Sequence, residues 1–151
     1  MLYISHRGNI DKKDINTENS PSKIELCIKS GYDVEIDIRY IYGGWWLGHD
    51  ENQYEVSAEW INKIHRKLWI HCKNYEALFK CHDQWNYFWH EKDKYTITSK
   101  GYIWAYPGCS VNHRSVCVMP EWNNYKIDNI REAYAICSDN IEYCKQQYKI
   151  R

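Results

Sequence analysis

The opening of the chain alternates between strand-like and helix-like patterns of apolar residues. A short apolar run at 2–5 ends at His6, and the segment 20–31 repeats apolar residues at helical spacing behind a proline at its first position. The run 34–39 then alternates apolar and charged side chains, which is the two-residue period of a strand. The pattern therefore predicts a strand, a helix and a second strand as the opening unit.

Farther along the chain, the apolar pattern predicts strands more often than helices. The paired glycines at 43 and 44 predict a hairpin turn that sends the next strand back antiparallel. Further strands are predicted at 68–73, 87–90, 95–99, 102–105 and 116–119, and helices at 57–67, 74–84, 128–134 and 141–148. With 151 residues, the chain is expected to form one domain, 1–151, of the α/β class.

The balance of charges and the cysteine content narrow the classes of partner and compartment. The chain has 20 basic and 20 acidic residues, so a broad electrostatic grip on nucleic acid or on an anionic membrane is not expected. No apolar run approaches the roughly 18 residues of a membrane span, and no basic and apolar leader is evident. The seven cysteines are odd in number and scattered, which fits a reducing compartment. We therefore expect a cytoplasmic protein in which any phosphate binding is local.

Two acidic side chains share one face of the strand at 34–39. Alternate residues of a strand point the same way, so Glu35, Asp37 and Arg39 lie on one face. A divalent cation such as Mg²⁺, Ca²⁺ or Mn²⁺ would neutralise the repulsion between the two carboxylates. The alternative is an ion pair with Arg39 on a solvated face. Because apolar residues line the other face, the pattern favours a barrel lumen and a metal site.

Four short motifs near the start of the chain carry a resemblance to a known family. In chain order they are His6-Arg7-Gly8-Asn9, Glu18-Asn19-Ser20, Gly31-Tyr32-Asp33-Val34-Glu35-Ile36-Asp37 and Leu47-Gly48-His49-Asp50. Their order and their strand context resemble the opening of the glycerophosphodiester phosphodiesterase family. Weaker matches follow at Lys73, after a predicted strand, and at 135–139, which is similar to the last barrel strand of that family.

The resemblance and the strand, helix, strand opening both imply a shortened (β/α) barrel of the TIM type. Such barrels usually need about 250 residues, so some crossover helices are expected to be missing, chiefly in the strand-rich middle region. Barrel sites lie at the carboxyl ends of the strands. The side chains at or just after predicted strand ends are His6, Asp37, Lys73 and Glu121.

The resemblance further implies an enzyme of lipid metabolism, a phosphoric diester hydrolase that acts on a small, glycerophosphodiester-like substrate. Such hydrolysis needs an acid, a base, charge neutralisation and contacts to phosphate. By resemblance, the acid and base are His6 and His49, the ligands of one divalent metal ion include Glu35 and Asp37, and the phosphate contacts are Arg7 and Lys73.

One position departs from the family pattern in a way that concerns the metal. His71 stands where the family carries its third metal carboxylate, two residues before Lys73. A neutral imidazole lowers the charge of the ligand set, which should weaken Mg²⁺ or Ca²⁺ and favour Mn²⁺ or Zn²⁺. Glu121 or Glu91 could restore the missing charge, so three candidates for the third ligand stay open: His71, Glu121 and Glu91.

Two other functions stay open beside the phosphodiesterase. The first is a non-catalytic protein that binds phosphate or a phospholipid headgroup on the same barrel. The second is an activity like that of phospholipase D, which by resemblance also uses two histidines and a divalent metal. Metal-dependent turnover separates the enzymes from the binder, and the choice of substrate separates the two enzymes.

Overall fold

A curled sheet of ten strands forms the centre of the computed structural model, which describes residues 1–148. The strands are β1 (Leu2–His6), β2 (Asp33–Ile41), β3 (Gly44–Leu47), β4 (Tyr54–Val56), β5 (Leu68–Cys72), β6 (Tyr87–Phe88), β7 (Tyr95–Ile97), β8 (Ile103–Ala105), β9 (Ser115–Val118) and β10 (Ala135–Ser138). The α-helices are α1 (Pro21–Lys29), α2 (Ala58–Ile64), α3 (Tyr75–Lys80) and α4 (Ile141–Tyr148). Short 3-10 helices lie at His65–Lys67, Pro120–Asn123 and Ile130–Glu132.

Most neighbouring strands of the sheet are parallel. The parallel pairs run in the spatial order β6, β5, β2, β1, β10, β9 and β8. Strands β3 and β4 form an antiparallel extension on β2, and β7 is antiparallel to β8. Strand β1 pairs with residues 33–35 of β2 and strand β3 with residues 38–41, whereas β5 pairs with residues 34–38. Because these stretches overlap, β5 must lie along the edge of β2 opposite to β1 and β3.

The expected TIM-type barrel is wrong, and the structure is a mixed, curled half-barrel sheet with few helices. Between β6 and β10, the described structure contains turns, short strands and 3-10 helices but no α-helix. The stretch 106–114 between β8 and β9 is too short for a crossover helix, which takes about 10 to 12 residues or more in all. Farther on, Met119, Asn124 and Asn129 adopt positive φ angles, which break any helix in that connection.

The predicted elements of the opening half are confirmed more closely than those that follow. The structure contains the predicted strand, helix, strand unit as β1, α1 and β2, and the hairpin returns as antiparallel β3. The helix expected at 128–134 is wrong, because only a 3-10 turn forms there after the left-handed Asn129. The short strand β4 was not predicted. Of the expected domain 1–151, the last residues, 149–151, lie outside the described residues.

The alternation within β2 decides which side chains reach the inside of the curl. Val34, Ile36 and Ile38 are fully buried on the outer face, where Ile24 and Cys27 of α1 join the same apolar cluster. Glu35 and Asp37 therefore point to the inner face. Aromatic side chains from separate strands meet there and fill part of the interior: Trp69 of β5, Phe88 of β6 and Trp104 of β8.

Candidate functional site

The strand register brings several of the predicted side chains together inside the curl. His6 at the end of β1 is paired with Glu35 on β2, and Asp37 is paired with His71 on β5. All of these residues sit toward the carboxyl ends of parallel segments, where side chains of neighbouring strands converge. Local alternation and parallel pairing are thus sufficient to assemble a cluster of acids and histidines.

Glu35, Asp37 and His71 form a compact group that could hold a metal ion. Their ligand atoms lie within 4.8 Å of one another, a spacing compatible with bonds of about 2.0 to 2.6 Å to one cation. Glu35 Oε2 and Asp37 Oδ1 are buried and have no hydrogen-bond partner among the described residues. Because buried carboxylate oxygens are costly to leave unsatisfied, this donor set fits a divalent cation.

The other oxygen of Asp37 is held by a fixed set of contacts. Arg7 Nε lies 2.8 Å from Asp37 Oδ2, and Asn19 Nδ2 donates to the same oxygen at 3.0 Å. The Asn19 side-chain oxygen accepts from the Asp37 backbone N–H at 2.9 Å, and Arg7 also donates to Glu18 at 3.2 Å. These contacts fix the carboxylate of Asp37 so that Oδ1 faces His71.

The protonation equilibria of the two acids differ although both are buried. Burial raises the pKa of Glu35, and the negative charge of Asp37 raises it further. Burial also opposes ionisation of Asp37, but the protonated form of His71, with Nδ1 3.2 Å from Asp37 Oδ1, and the charge of Arg7 outweigh it and hold the pKa of Asp37 well below its ordinary value. Asp37 is therefore a fixed negative charge at the base of the site, to which Glu35 can add a second one when a cation is present.

His6 is held by a carboxylate that follows the last strand. His6 Nδ1 lies 2.7 Å from Asp139 Oδ1, which also accepts from Asn9 Nδ2 at 2.7 Å. The other ring nitrogen, Nε2, lies 3.8 Å from Glu35 Oε2. Burial lowers the pKa of His6, but the hydrogen bond to Asp139 and the charge of Glu35 outweigh that effect and raise the pKa overall. The contact with Asp139 thus both orients the ring and favours its protonated form.

His49 reaches the site from the turn that follows β3. The turn requires glycine at 48, because its φ is +143° and an added Cβ would lie 2.0 Å from the Glu51 carbonyl oxygen. Arg39 donates to the backbone carbonyls of Gly48 and His49, so it holds this turn and, among the described residues, does not form the ion pair considered for it as an alternative. His49 Nδ1 lies 2.7 Å from Asp50 Oδ1. Burial, followed by the charges of Arg7 and Lys73, lowers its pKa despite the opposing charge of Asp37.

A cavity of about 760 Å³ connects these groups. Its volume lies in the range of about 300 to 1,000 Å³ that is usual for small-molecule sites. The predicted site residues that line it are His6, Arg7, Glu35, His49, His71 and Lys73, while Asp37 lies fully buried against Arg7. The rest of the wall mixes polar residues with an aromatic and apolar part, which includes Trp104, Tyr106, Met119 and Trp122.

The two acids considered as replacements for the third carboxylate lie outside the metal-binding group. Glu121 Oε1 accepts from the Ser138 hydroxyl at 2.8 Å and from the Asp139 backbone N–H at 3.0 Å, so this side chain holds the end of β10. Glu91 is an exposed residue of the cavity wall. Among the described residues, His71 is the third member of the group that contains Glu35 and Asp37.

Several polar residues of the site were given no role by the sequence reasoning. Glu18, Asn19 and Asn9 are buried, and all of them belong to the motifs that carry the family resemblance. Asp139 follows the strand that resembles the last barrel strand, but its contact with His6 spans 133 positions in the sequence. Their place within the motifs was a usable signal for the first three residues, whereas the role of Asp139 depends on the pairing of β1 with β10.

Comparison of the chain with models of protein families, with curated proteins and with solved structures gave no match. Over residues 1–148, no helix has the length and apolar character needed to cross a membrane. The central feature of the site is a buried group of two carboxylates and one imidazole, with two further histidines on the same cavity.

Proposed function

We propose that this protein is a metal-dependent phosphodiesterase that hydrolyses a small, glycerophosphodiester-like substrate. The single observation that carries the proposal is the unsatisfied pair of buried oxygens on Glu35 and Asp37, next to His71, in a cavity that His6 and His49 also line. A site with a metal-binding group, two histidines and cationic side chains meets the requirements for cleaving a phosphodiester.

One divalent ion, of the group Mg²⁺, Ca²⁺ and Mn²⁺, would be held by Glu35, Asp37 and His71. Such an ion supplies charge neutralisation at the non-bridging phosphate oxygens. The surrounding residues support this arrangement, because Arg7 and Asn19 occupy only the oxygen of Asp37 that faces away from His71. The ligand oxygens are therefore already oriented before a cation binds.

His6 and His49 act as the proton donor and proton acceptor of the reaction. Each ring has its Nδ1 within 2.7 Å of a carboxylate, Asp139 for His6 and Asp50 for His49. That arrangement leaves Nε2 of each ring for proton transfer in the cavity and orients both rings in the manner of other acid and base histidines.

Lys73 is the main contact for the phosphate. Within residues 1–148 its ammonium group takes part in no ion pair, although the side chain lines the cavity. Arg7 is already engaged with Asp37 and Glu18, so it contributes positive charge from the base of the site. The balanced net charge of the chain supports a small substrate and no nucleic acid.

We also propose a reducing, cytoplasmic location for this activity. All the cysteines of the chain lie within the described residues and none of them forms a disulfide there. This pattern is typical of proteins from reducing compartments. A thiol titration of protein extracted under alkylating conditions tests the location, since modification of most cysteines only after reduction would contradict it.

The test of the proposed function is turnover with defined metals. We expect purified protein to hydrolyse glycerophosphocholine or an aryl phosphodiester with Mn²⁺ or Mg²⁺ and to lose that activity with a chelator. Asp37→Asn should abolish turnover, whereas Asp128→Asn, at an exposed acid, should not. Tight ligand binding without turnover would overturn the proposed enzymatic activity and favour a binding protein. Cleavage of sphingomyelin alone would favour the phospholipase D-like activity.

A further inference from the structure

The two ring nitrogens of His71 face different partners. Nε2 lies 2.9 Å from the backbone carbonyl oxygen of His90. A carbonyl oxygen only accepts hydrogen bonds, so Nε2 must carry the proton of this contact. In a neutral imidazole the other nitrogen then holds a lone pair, which makes Nδ1 the atom available to a metal.

Nδ1 of His71 is directed at the two carboxylates without satisfying them. It lies 3.2 Å from Asp37 Oδ1 and 3.8 Å from Glu35 Oε1. Asp37 Oδ1 nevertheless receives no hydrogen bond from any described residue. The nitrogen and the oxygens therefore face one common space, as the ligands of a single ion do.

The segment that holds the His71 ring comes from the neighbouring strand. Phe88 on β6 stacks on the ring with the planes 8° apart and the centroids 5.1 Å apart, and the two residues are paired in the β5–β6 ladder. The His90 carbonyl lies two residues farther along the same chain segment. A hydrogen bond to the far nitrogen and a stacked ring are the kind of support that fixes both the tautomer and the direction of a ligating histidine.

We infer that His71 is a nitrogen ligand through Nδ1, locked in that tautomer by the His90 carbonyl and the Phe88 ring, and that it makes the site select Mn²⁺ or Zn²⁺ over Mg²⁺ and Ca²⁺. This inference rests on the proposed metal site and specifies its metal class. Imidazole is a ligand for borderline transition metals, whereas Mg²⁺ and Ca²⁺ prefer an all-oxygen set. A carboxylate in place of His71 would favour Mg²⁺ and Ca²⁺, so the imidazole should weaken the binding of these two ions.

A calorimetric comparison of metal affinities tests the selectivity. We expect the wild type to bind Mn²⁺ more tightly than Mg²⁺, and His71→Glu to lower that affinity ratio by at least about tenfold. His113→Glu makes the same change at an exposed histidine outside the cavity and should leave the ratio unaltered. An unchanged ratio in folded His71→Glu, verified by circular dichroism, would overturn the inference while leaving the metal site itself standing.

Nitrogen NMR of the histidines tests the tautomer without depending on activity. We expect the neutral ring of His71 in the metal-free protein to carry its proton on Nε2, with Zn²⁺ shifting the Nδ1 resonance. A neutral ring protonated on Nδ1 would overturn the inference. A doubly protonated ring in a wild type that binds no divalent ion would also overturn the inference, because His71 would then neutralise the carboxylates in place of a metal. In that case the absence of metal binding would overturn the proposed function as well.

Discussion

The half of the sheet whose strand connections contain α-helices and the half whose connections lack them have different roles. On β2 and β5, helices α1 to α3 cover the outer face, and the inner face of β1, β2 and β5 carries the charged residues of the site. On β6 to β9 the connections are turns, and the inner face offers mainly aromatic and apolar wall. Helix α4 packs on β8 and β9 from the outside, while at the edge strand β7 the side chain of Ile97 is 67% exposed beside a groove of about 520 Å³.

The two halves therefore differ in how precisely they must position their side chains. Charged groups that act on a phosphate must be held to within about 0.5 Å of their productive positions, and here most of them are on paired parallel strands backed by a packed helical layer. The helix-poor half contributes supports, such as the His90 carbonyl, and wall residues whose positions matter less. We therefore expect substitutions in the helix-covered half to affect chemistry and stability, and substitutions in the helix-poor half to affect substrate fit.

The largest expected effect comes from the two histidines that the helix-covered half presents to the cavity. Positioned acids and bases each contribute about 10² to 10⁴-fold, so His6→Ala or His49→Ala should reduce kcat by that order. The double variant should lose less than the product of the single losses, because the two groups act as a unit. His65→Ala, at a histidine that does not line the cavity, is the control. Wild-type turnover in both single variants would remove the assignment.

A matched pair of core substitutions compares the stability of the two halves. Ile36→Ala deletes a fully buried side chain between β2 and the helical layer and should lower the free energy of unfolding by about 2 to 5 kcal/mol. Ile97→Ala, at an exposed position on β7, should change it by less than about 0.5 kcal/mol. Urea denaturation followed by circular dichroism measures both. Similar losses at the two positions would contradict the comparison.

A smaller effect is expected at the contact that joins the two ends of the chain. Asp139 raises the pKa of His6, so Asp139→Asn should lower that pKa, and the ring should lose its proton at a lower pH than in the wild type. NMR titration of the metal-free protein measures the shift directly. Turnover should fall by about 10 to 100-fold, because the imidazole of His6 would no longer be oriented by the Asp139 carboxylate. An unchanged titration midpoint would exclude Asp139 as the partner that sets the charge of His6.

The smallest effect should come from the wall of the helix-poor half. Trp122 is 63% exposed, lines the cavity and is not a member of the metal-binding group. Trp122→Ala should raise KM a few-fold and leave kcat within about a factor of two. This result is expected when a side chain contacts the substrate equally well in the ground state and in the transition state. Steady-state kinetics on one substrate measure both constants. A fall in kcat with KM unchanged would give this wall a part in the chemistry.

The same division explains how much of the molecule could be predicted from its sequence. The inward direction of Glu35 and Asp37 follows from the two-residue period of β2, and the return of the chain toward His49 follows from the glycines of the hairpin. Both are local properties. The four motifs that carry the main resemblance lie in this region, and here the predicted elements agree with the structure.

The parts that could not be predicted depend on distant contacts and on backbone conformation. The apolar spacing at 128–134 is helical, yet Asn129 adopts a left-handed conformation and only a 3-10 turn follows. The predicted barrel required the strand and helix alternation of the opening half to continue along the chain, but the connections between β6 and β10 contain no α-helix. The roles of Asp139 and of the His90 carbonyl require strands β10 and β6 to be in place, which no local pattern specifies.

Calorimetry with Mn²⁺ on matched variants tests whether Glu35, Asp37 and His71 hold one divalent ion. We predict that the wild type binds one equivalent and that Asp37→Asn, with the same shape and no charge, lowers the affinity by more than about 100-fold. Asp128→Asn should bind as the wild type does, since that acid is exposed and far from the group. Equal affinity of wild type and Asp37→Asn for Mn²⁺ would contradict the proposed metal site.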